Sequence, residues 1–244
     1  MTDFIVLAVL LKVFALSERR ASVRIVALTR LLCRLLVRVL SLRCRFENFS
    51  GIEEGAHASL LLLPNHISYL DVIVINAKIP SVFVTSREIE ATPVLGWITR
   101  AAGCAFVERR NIWQVQQDIG QISALLNDGL NVTLFPEGST SPGEGLMDFK
   151  KTLLESAIRS RCRVLPVCLK YEKVSGRRYD ASNRDRVAWY GDMAFFPHLW
   201  RLMGTRSIDA RLTLLSEVPF RGHRSRKRLA RDVKARIAER FHAS

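Results

Sequence analysis

A layered α/β domain, with a central, mostly parallel or mixed sheet flanked by helices, is the fold this sequence predicts. Two observations carry the prediction. Short apolar runs bounded by turn residues recur along the chain, at Ser59 to Leu63, Val82 to Thr85, Ala105 to Val107, Val132 to Phe135, Val164 to Leu169 and Arg211 to Leu215. Helix-like stretches separate them, and strands that alternate with helices favour parallel pairing with helices over the faces. With 244 residues, 48% of them hydrophobic, the chain can bury a full core without a second large domain. The expected division is an N-terminal helical arm over residues 1–44 and one αβ domain over residues 45–244.

The arm opens with Phe4 to Leu16, an apolar run interrupted by Lys12. It is shorter than the roughly 20 residues a spanning helix needs, and it lacks the basic start and small-residue cleavage site of a signal peptide. The next segment, Val23 to Leu42, carries Arg30, Arg34 and Arg38 four apart, one basic stripe on a helix whose other faces are Val, Leu and Ile. That pattern suits a helix lying in a membrane interface with its arginines at the headgroups. It equally suits a helix packed on the protein with a solvated basic edge, and both can hold at once. Further on, Ile112, Val115, Ile119, Ile122, Leu125 and Leu126 repeat at helical spacing, with Gly129 placed as a C-terminal cap. The tail from Arg221 is dense in Lys and Arg, with Leu229, Val233, Ile237 and Phe241 at near-helical spacing, and reads as a basic surface helix.

The balance of 37 Lys+Arg against 23 Asp+Glu gives a net charge of +14, which favours partners that carry phosphate. Nucleic acid is disfavoured, since no aromatic stacking platform lies among the basic residues. Cys33, Cys44, Cys104, Cys162 and Cys168 are odd in number and form no C-x-x-C pair. They read as reduced, packed thiols in a cytosolic setting, with neither a disulfide framework nor a metal site. The sequon at Asn48 to Ser50 has no secretory context and carries no weight.

The stretch Leu62 to Asp71, LLPNHISYLD, is where an apolar strand exits into Pro64, Asn65 and His66, with a carboxylate five residues after the histidine. An imidazole works as a base near neutral pH, and a carboxylate on its other nitrogen fixes its tautomer and orientation. Residues five apart on one helix point about 140° away from each other, so His66 must precede the helix and Asp71 must reach back from its first turns. A helix N-terminus capped by Asn65 or Ser68, with a solvated His66, is the bland alternative. No G-x-S-x-G elbow, Walker loop, dinucleotide fingerprint or H-E-x-x-H is present, so an acyl-enzyme nucleophile has no signature. Three further strand ends carry chemistry: GCAFVERR ends in Arg109 and Arg110, LFPEGST turns at Glu137, and VLPV contains Pro166. Ligands of α/β sheets gather at strand ends, so these groups can converge on one cleft.

In these segments the sequence resembles the lysophospholipid and glycerophosphate acyltransferase family. Its four motifs occur in order: N-H-x-x-x-x-D at Asn65, His66 and Asp71, F-x-x-R at Phe106 and Arg109, F-P-E-G-[ST] at Phe135 to Ser139, and the strand proline at Pro166. The resemblance implies the glycerol-3-phosphate acyltransferase-like αβ fold and transfer of a fatty acyl group from acyl-CoA or acyl-carrier protein to a lysolipid hydroxyl. It implies no other cofactor. His66 would be the base and Asp71 its orienter, with Asn65, Ser68, Arg87, Arg109, Glu137, Gly138, Ser139 and Lys151 binding substrate. The first acceptor implied is 1-acyl-sn-glycerol-3-phosphate, and the partners are the lipid surface and the acyl donor, at the cytoplasmic face of the cell membrane. One departure concerns the acceptor: Thr140 stands where family members acting on lysophosphatidic acid commonly have an arginine, and Arg87 stands where a lysine is common. The stretch Trp189 to Gly204 also resembles bacterial members that include lyso-ornithine lipid acyltransferases, the alternative acceptor class. A reading of another class, a non-catalytic basic membrane-binding protein, is opposed by the intact N-H…D pair.

Overall fold

The computed structural model describes residues 18–49, 59–108, 112–218 and 225–243. The apolar run at Phe4 to Leu16, the end of the sequon at Ser50, and Arg109 with Arg110 lie outside the described residues. Eight strands form one sheet among those described: β1 (Leu42–Glu47), β2 (Leu60–Pro64), β3 (Val82–Ser86), β4 (Ala105–Val107), β5 (Val132–Thr133), β6 (Arg163–Val174), β7 (Arg177–Arg178) and β8 (Ile208–Leu214). Their order is β1-β8-β6-β2-β5-β3-β4, with β7 paired to β6. The pairs β1–β8, β2–β6, β2–β5, β3–β5 and β3–β4 are parallel, while β6–β8 and β6–β7 are antiparallel. The sheet is therefore mixed and mostly parallel, as expected.

Eight helices accompany it among the described residues: α1 (Glu18–Val39), α2 (Leu70–Lys78), α3 (Arg87–Glu90), α4 (Leu95–Ala101), α5 (Ile112–Asn127), α6 (Glu155–Ser160), α7 (Phe195–Met203) and α8 (Arg226–His242). Every residue of β2 is buried, which a central parallel strand covered on both faces requires. Pro166 is tolerated in β6 because it lies just past Val167–Leu214, where the regular pairing with β8 ends. On α5, Ile119, Ile122 and Leu126 face the core. The helix closes as the Gly129 position predicts: Gly129 has φ +83°, its N–H donates to Leu126 O, and Leu130 N–H donates to Leu125 O. Those two bonds make a Schellman cap, which satisfies carbonyls the helix end would otherwise leave bare. On α8, Leu229, Val233, Ile237 and Phe241 are buried against the sheet, while Arg226, Lys227, Arg228 and Arg231 are exposed, the amphipathic pattern of the tail.

One boundary differs from the sequence reading, and one helix face becomes more specific. Strand β1 runs from Leu42 to Glu47, so the boundary drawn at residue 44 cuts an edge strand that pairs with β8. Two arginines of the α1 stripe also bond to the protein, the packed arrangement that the sequence allows beside the interfacial one. Arg30 donates to Lys78 O (3.2 Å) and Arg34 to Ala77 O (3.1 Å), at the C-terminal end of α2, while Ile25, Val26, Thr29 and Cys33 are buried beside them. The last carbonyls of a helix have no partner within it and carry partial negative charge, so guanidinium groups are drawn there. The exposed face of α1 is mixed, with Val23, Leu31, Leu35 and Val39 in solvent beside Arg24, Arg34 and Arg38.

Candidate active site

The parallel strands β2, β3, β4 and β5 all point their C-terminal ends to one edge of the sheet, and the chemistry leaves from those ends. His66 follows β2, Arg87 follows β3, and Glu137 follows β5. Pro64 closes β2, and Asn65 then continues the ladder with its side chain: Nδ2 donates to Leu169 O and Oδ1 accepts from Leu169 N–H, both at 2.8 Å. Asn65 is 1% exposed. Its carboxamide thus serves β6, with both of its polar atoms engaged by Leu169.

His66 sits in the turn ahead of α2 and Asp71 in the first helical turn, the arrangement the five-residue spacing demands. The His66 Nδ1 to Asp71 Oδ2 distance is 2.8 Å. That same oxygen accepts the N–H groups of Ile67 (2.6 Å) and Ser68 (3.0 Å), and Oδ1 accepts the hydroxyl of Tyr171 (2.7 Å). An ionised carboxylate so surrounded is an acceptor only, so in the neutral imidazole Nδ1 is the donor and Nε2 bears the free lone pair. The imidazole lies flat on Phe135, ring centroids 3.7 Å apart, and its side chain is 17% exposed. Among the described residues Nε2 has no hydrogen-bond partner. The backbone of the turn is fully engaged: Ser141 donates to His66 O, Trp189 N–H to Ile67 O, and Asp71 N–H to Ser68 O. Ser68 is completely buried, a turn residue whose hydroxyl accepts from Leu70 N–H at 3.4 Å, so no ligand reaches it in this arrangement.

Glu137 is 1% exposed and divides its carboxylate between two backbone donors, His66 N–H on Oε1 and Met147 N–H on Oε2, both at 2.9 Å. Burial, the larger influence, raises its pKa, and the two N–H donors oppose the rise. It ties the Pro-Glu-Gly turn to the histidine turn, so its carboxylate holds the frame. Gly138 has φ +70°, and a Cβ there would come within 3.0 Å of the Lys150 side chain. Lys150, rather than Lys151, is therefore the lysine lying over this turn; Lys151 is exposed one residue further along. Ser139 is exposed and Thr140 half-buried. Arg87 is about half exposed and pairs with Glu90 at 3.7 Å. Sequence reasoning did not find Tyr171 or Ser141 as parts of this site, and it named Phe135 as a motif residue without its stacking on the histidine. A tyrosine closing the apolar run of β6 was the one signal available, because a buried phenol requires a partner.

The cysteines offer the histidine no thiolate. All five cysteines are free thiols, and burial pushes Cys33, Cys44 and Cys168 up to about 11 and Cys104 up to about 12, away from thiolate. Among the described residues no three His, Cys, Asp or Glu side chains cluster as metal ligands.

Comparison with known proteins gives this frame its relatives. The chain is 33% identical over 167 residues to the 1-acyl-sn-glycerol-3-phosphate acyltransferase of Neisseria meningitidis, covering 66% of this chain and 63% of that protein. It is 30% identical over 185 residues to the lyso-ornithine lipid O-acyltransferase of Rhizobium meliloti, covering 73% of this chain and 63% of that one. With the protein of the same name from Brucella abortus it shares 30% over 200 residues, covering 79% and 74%. The matched region thus spans about 63% of the length of the first two relatives. The fold superposes on the crystal structure of the 1-acyl-sn-glycerophosphate acyltransferase PlsC from Thermotoga maritima with a TM-score of 0.68, at 17% identity, over 96% of this chain and 86% of that one. Residues 45–170, which hold every strand end described above, match the family model described as Acyltransferase, and the chain belongs to that family.

Proposed function

We propose that this chain catalyses O-acyl transfer from a thioester to the free hydroxyl of a lysolipid. The observation that carries the proposal is the oriented imidazole: Nδ1 held by Asp71, Nε2 open at the sheet edge. His66 Nε2 takes the acceptor's hydroxyl proton as the oxygen attacks the carbonyl carbon of acyl-CoA or acyl-carrier protein. The C–O bond forms, the C–S bond breaks, and the imidazolium returns its proton to the leaving thiolate. No acyl-enzyme is needed, in keeping with the buried, protonated thiols.

The first acceptor is 1-acyl-sn-glycerol-3-phosphate, by analogy with the Neisseria relative. Lyso-ornithine lipid is the second, favoured by Thr140 in the third motif and by the names of the Rhizobium and Brucella relatives. Gly138, Ser139, Arg87 and the exposed lysines at 150 and 151 are available to the acceptor headgroup, and Arg109 is proposed to join them from outside the described residues. The enzyme works from the cytoplasmic face as a peripheral protein. No described helix is long and apolar enough to cross a membrane, while Leu31, Leu35 and Val39 on α1 and Phe196, Trp200 and Met203 on α7 offer apolar side chains to a lipid surface.

The test is transfer from labelled acyl-CoA and acyl-carrier protein by the purified chain, with both acceptors offered in parallel. Expected is product with at least one acceptor and its loss in His66→Ala, with fold and vesicle binding intact. Full turnover by His66→Ala refutes the base. Vesicle binding without product from any donor and acceptor favours the non-catalytic membrane-binding protein.

A further inference from the structure

We propose that Tyr171 is a positioning residue of the acid–base pair, holding Asp71 from the side opposite His66 and thereby setting both the orientation and the basicity of the imidazole. This rests on the reading of His66 as the base. The Tyr171 hydroxyl donates to Asp71 Oδ1 at 2.7 Å, and Asp71 Oδ2 meets His66 Nδ1 at 2.8 Å, so phenol, carboxylate and imidazole form one file. Tyr171 and Asp71 are 2% and 0% exposed, so water does not replace the contact.

The phenol could have been satisfied in a simpler way. Its neighbour Tyr179, ring centroids 6.1 Å away, donates to the backbone carbonyl of Pro142. Tyr171 instead meets the one carboxylate that holds the histidine. The backbone arranges this: β6 carries a bulge at Glu172, where Tyr171 opposes Ala210 and Lys173 opposes Asp209, and bulges re-aim side chains next to functional sites. Burial and the facing Asp71 raise the Tyr171 pKa well above its ordinary value, so it remains an O–H donor. The other titratable groups around the file are Glu137 after β5, Tyr179 after β7 and Cys44 on β1. Glu137 is committed to backbone donors, and neither Tyr179 nor Cys44 is hydrogen-bonded to Asp71 among the described residues.

A donor on Oδ1 disperses the carboxylate charge. Removing it leaves Asp71 a stronger acceptor from His66, favouring imidazolium and displacing the acid limb of the rate profile to higher pH. The experiment measures kcat and kcat/KM against pH for the full chain with Tyr171→Phe, using whichever acceptor and donor pair the wild type turns over. Expected is a kcat lower by about tenfold, as for loss of a hydrogen bond to a charged group, with acceptor KM little changed and the acid limb moved upward. Replacing Tyr171 by 3-fluorotyrosine, a more acidic donor of nearly the same shape, should move the limb downward, and this second variant tests the idea even if Tyr171→Phe folds poorly. Acid limbs that stay at the wild-type position in both variants overturn the proposal. His66→Ala, run alongside, separates the two failures: full turnover there removes the base itself, whereas an inactive His66→Ala with unmoved Tyr171 profiles removes only the role of the phenol.

Discussion

Asn65→Ala tests whether the first residue of the N-H…D motif serves the substrate or the sheet. Its carboxamide pairs with both backbone polar groups of Leu169, one as donor and one as acceptor, at a site closed to water. Truncation leaves a buried N–H and a buried C=O without partners, at about 1–3 kcal/mol each, so the loss is about 2–6 kcal/mol. Against a total stability of roughly 5–15 kcal/mol that is a large fraction. For a chain of this length each kcal/mol corresponds to about 2–4 °C, so Tm should fall by about 10 °C near the middle of the range. Asn65→Asp should be no better: it keeps an acceptor for Leu169 N–H but sets a second oxygen against Leu169 O. The assay is thermal unfolding followed by tryptophan fluorescence, paired with steady-state kinetics below the melting range. Because His66 is the next residue, kcat should fall as the turn loosens. A Tm within about 1 °C of wild type, combined with a raised acceptor KM and an unchanged kcat, would refute the clip and return Asn65 to the substrate.

Two other consequences follow from the packing. Arg240 first of all, then Thr213 and the charge of Arg211, hold Glu47 below its ordinary carboxylate pKa. A depressed folded pKa means that this contribution is complete above the unfolded value of about 4.3 and is lost as pH falls through the folded one. Glu47→Gln should accordingly be less stable than wild type at pH 7, with the gap narrowing below about pH 4 in urea titrations; a gap constant down to pH 3.5 contradicts the assignment. At the lipid surface, Leu31→Ser with Leu35→Ser on α1, or Trp200→Ser on α7, should each weaken sedimentation with anionic vesicles several-fold while leaving Tm nearly unchanged, since these side chains face solvent. Undiminished sedimentation of both variants would place the membrane contact elsewhere.

What could be read from sequence was what local chemistry decides. The five-residue spacing fixed His66 before the helix and Asp71 within it, and Gly129 marked the end of α5 because its left-handed turn suits glycine. The four-residue spacing of Leu229, Val233, Ile237 and Phe241 gave the buried face of α8. What escaped depended on partners far along the chain. Strand β1 reads LRCRFE, polar enough to pass for a linker, and becomes a strand by pairing with β8, more than 160 residues away. The bonds of Arg30 and Arg34 were hidden because the carbonyls that receive them belong to another helix. Glu137 invited a ligand role, since nothing in its neighbourhood announces that backbone N–H groups 71 residues earlier and 10 residues later will occupy both oxygens.

These corrections divide the motif residues into two physical groups. Asn65, Ser68, Asp71 and Glu137 are all buried, and their polar atoms are committed to the frame around one turn, leaving Nε2 of His66 as the open polar group of that turn among the described residues. Such a frame has little freedom to vary, because each lost partner leaves a buried group unsatisfied. It also contains nothing that reads an acceptor headgroup. On the proposed function, selectivity belongs to the second group, the exposed or half-exposed Ser139, Thr140, Lys150, Lys151 and Arg87, with the proposed Arg109. That separation is a physical reason why one catalytic frame can serve relatives named for two different acceptors. Exchange of headgroup preference belongs to substitutions at the rim, where side chains meet solvent, and changes inside the frame should reduce turnover with every acceptor alike.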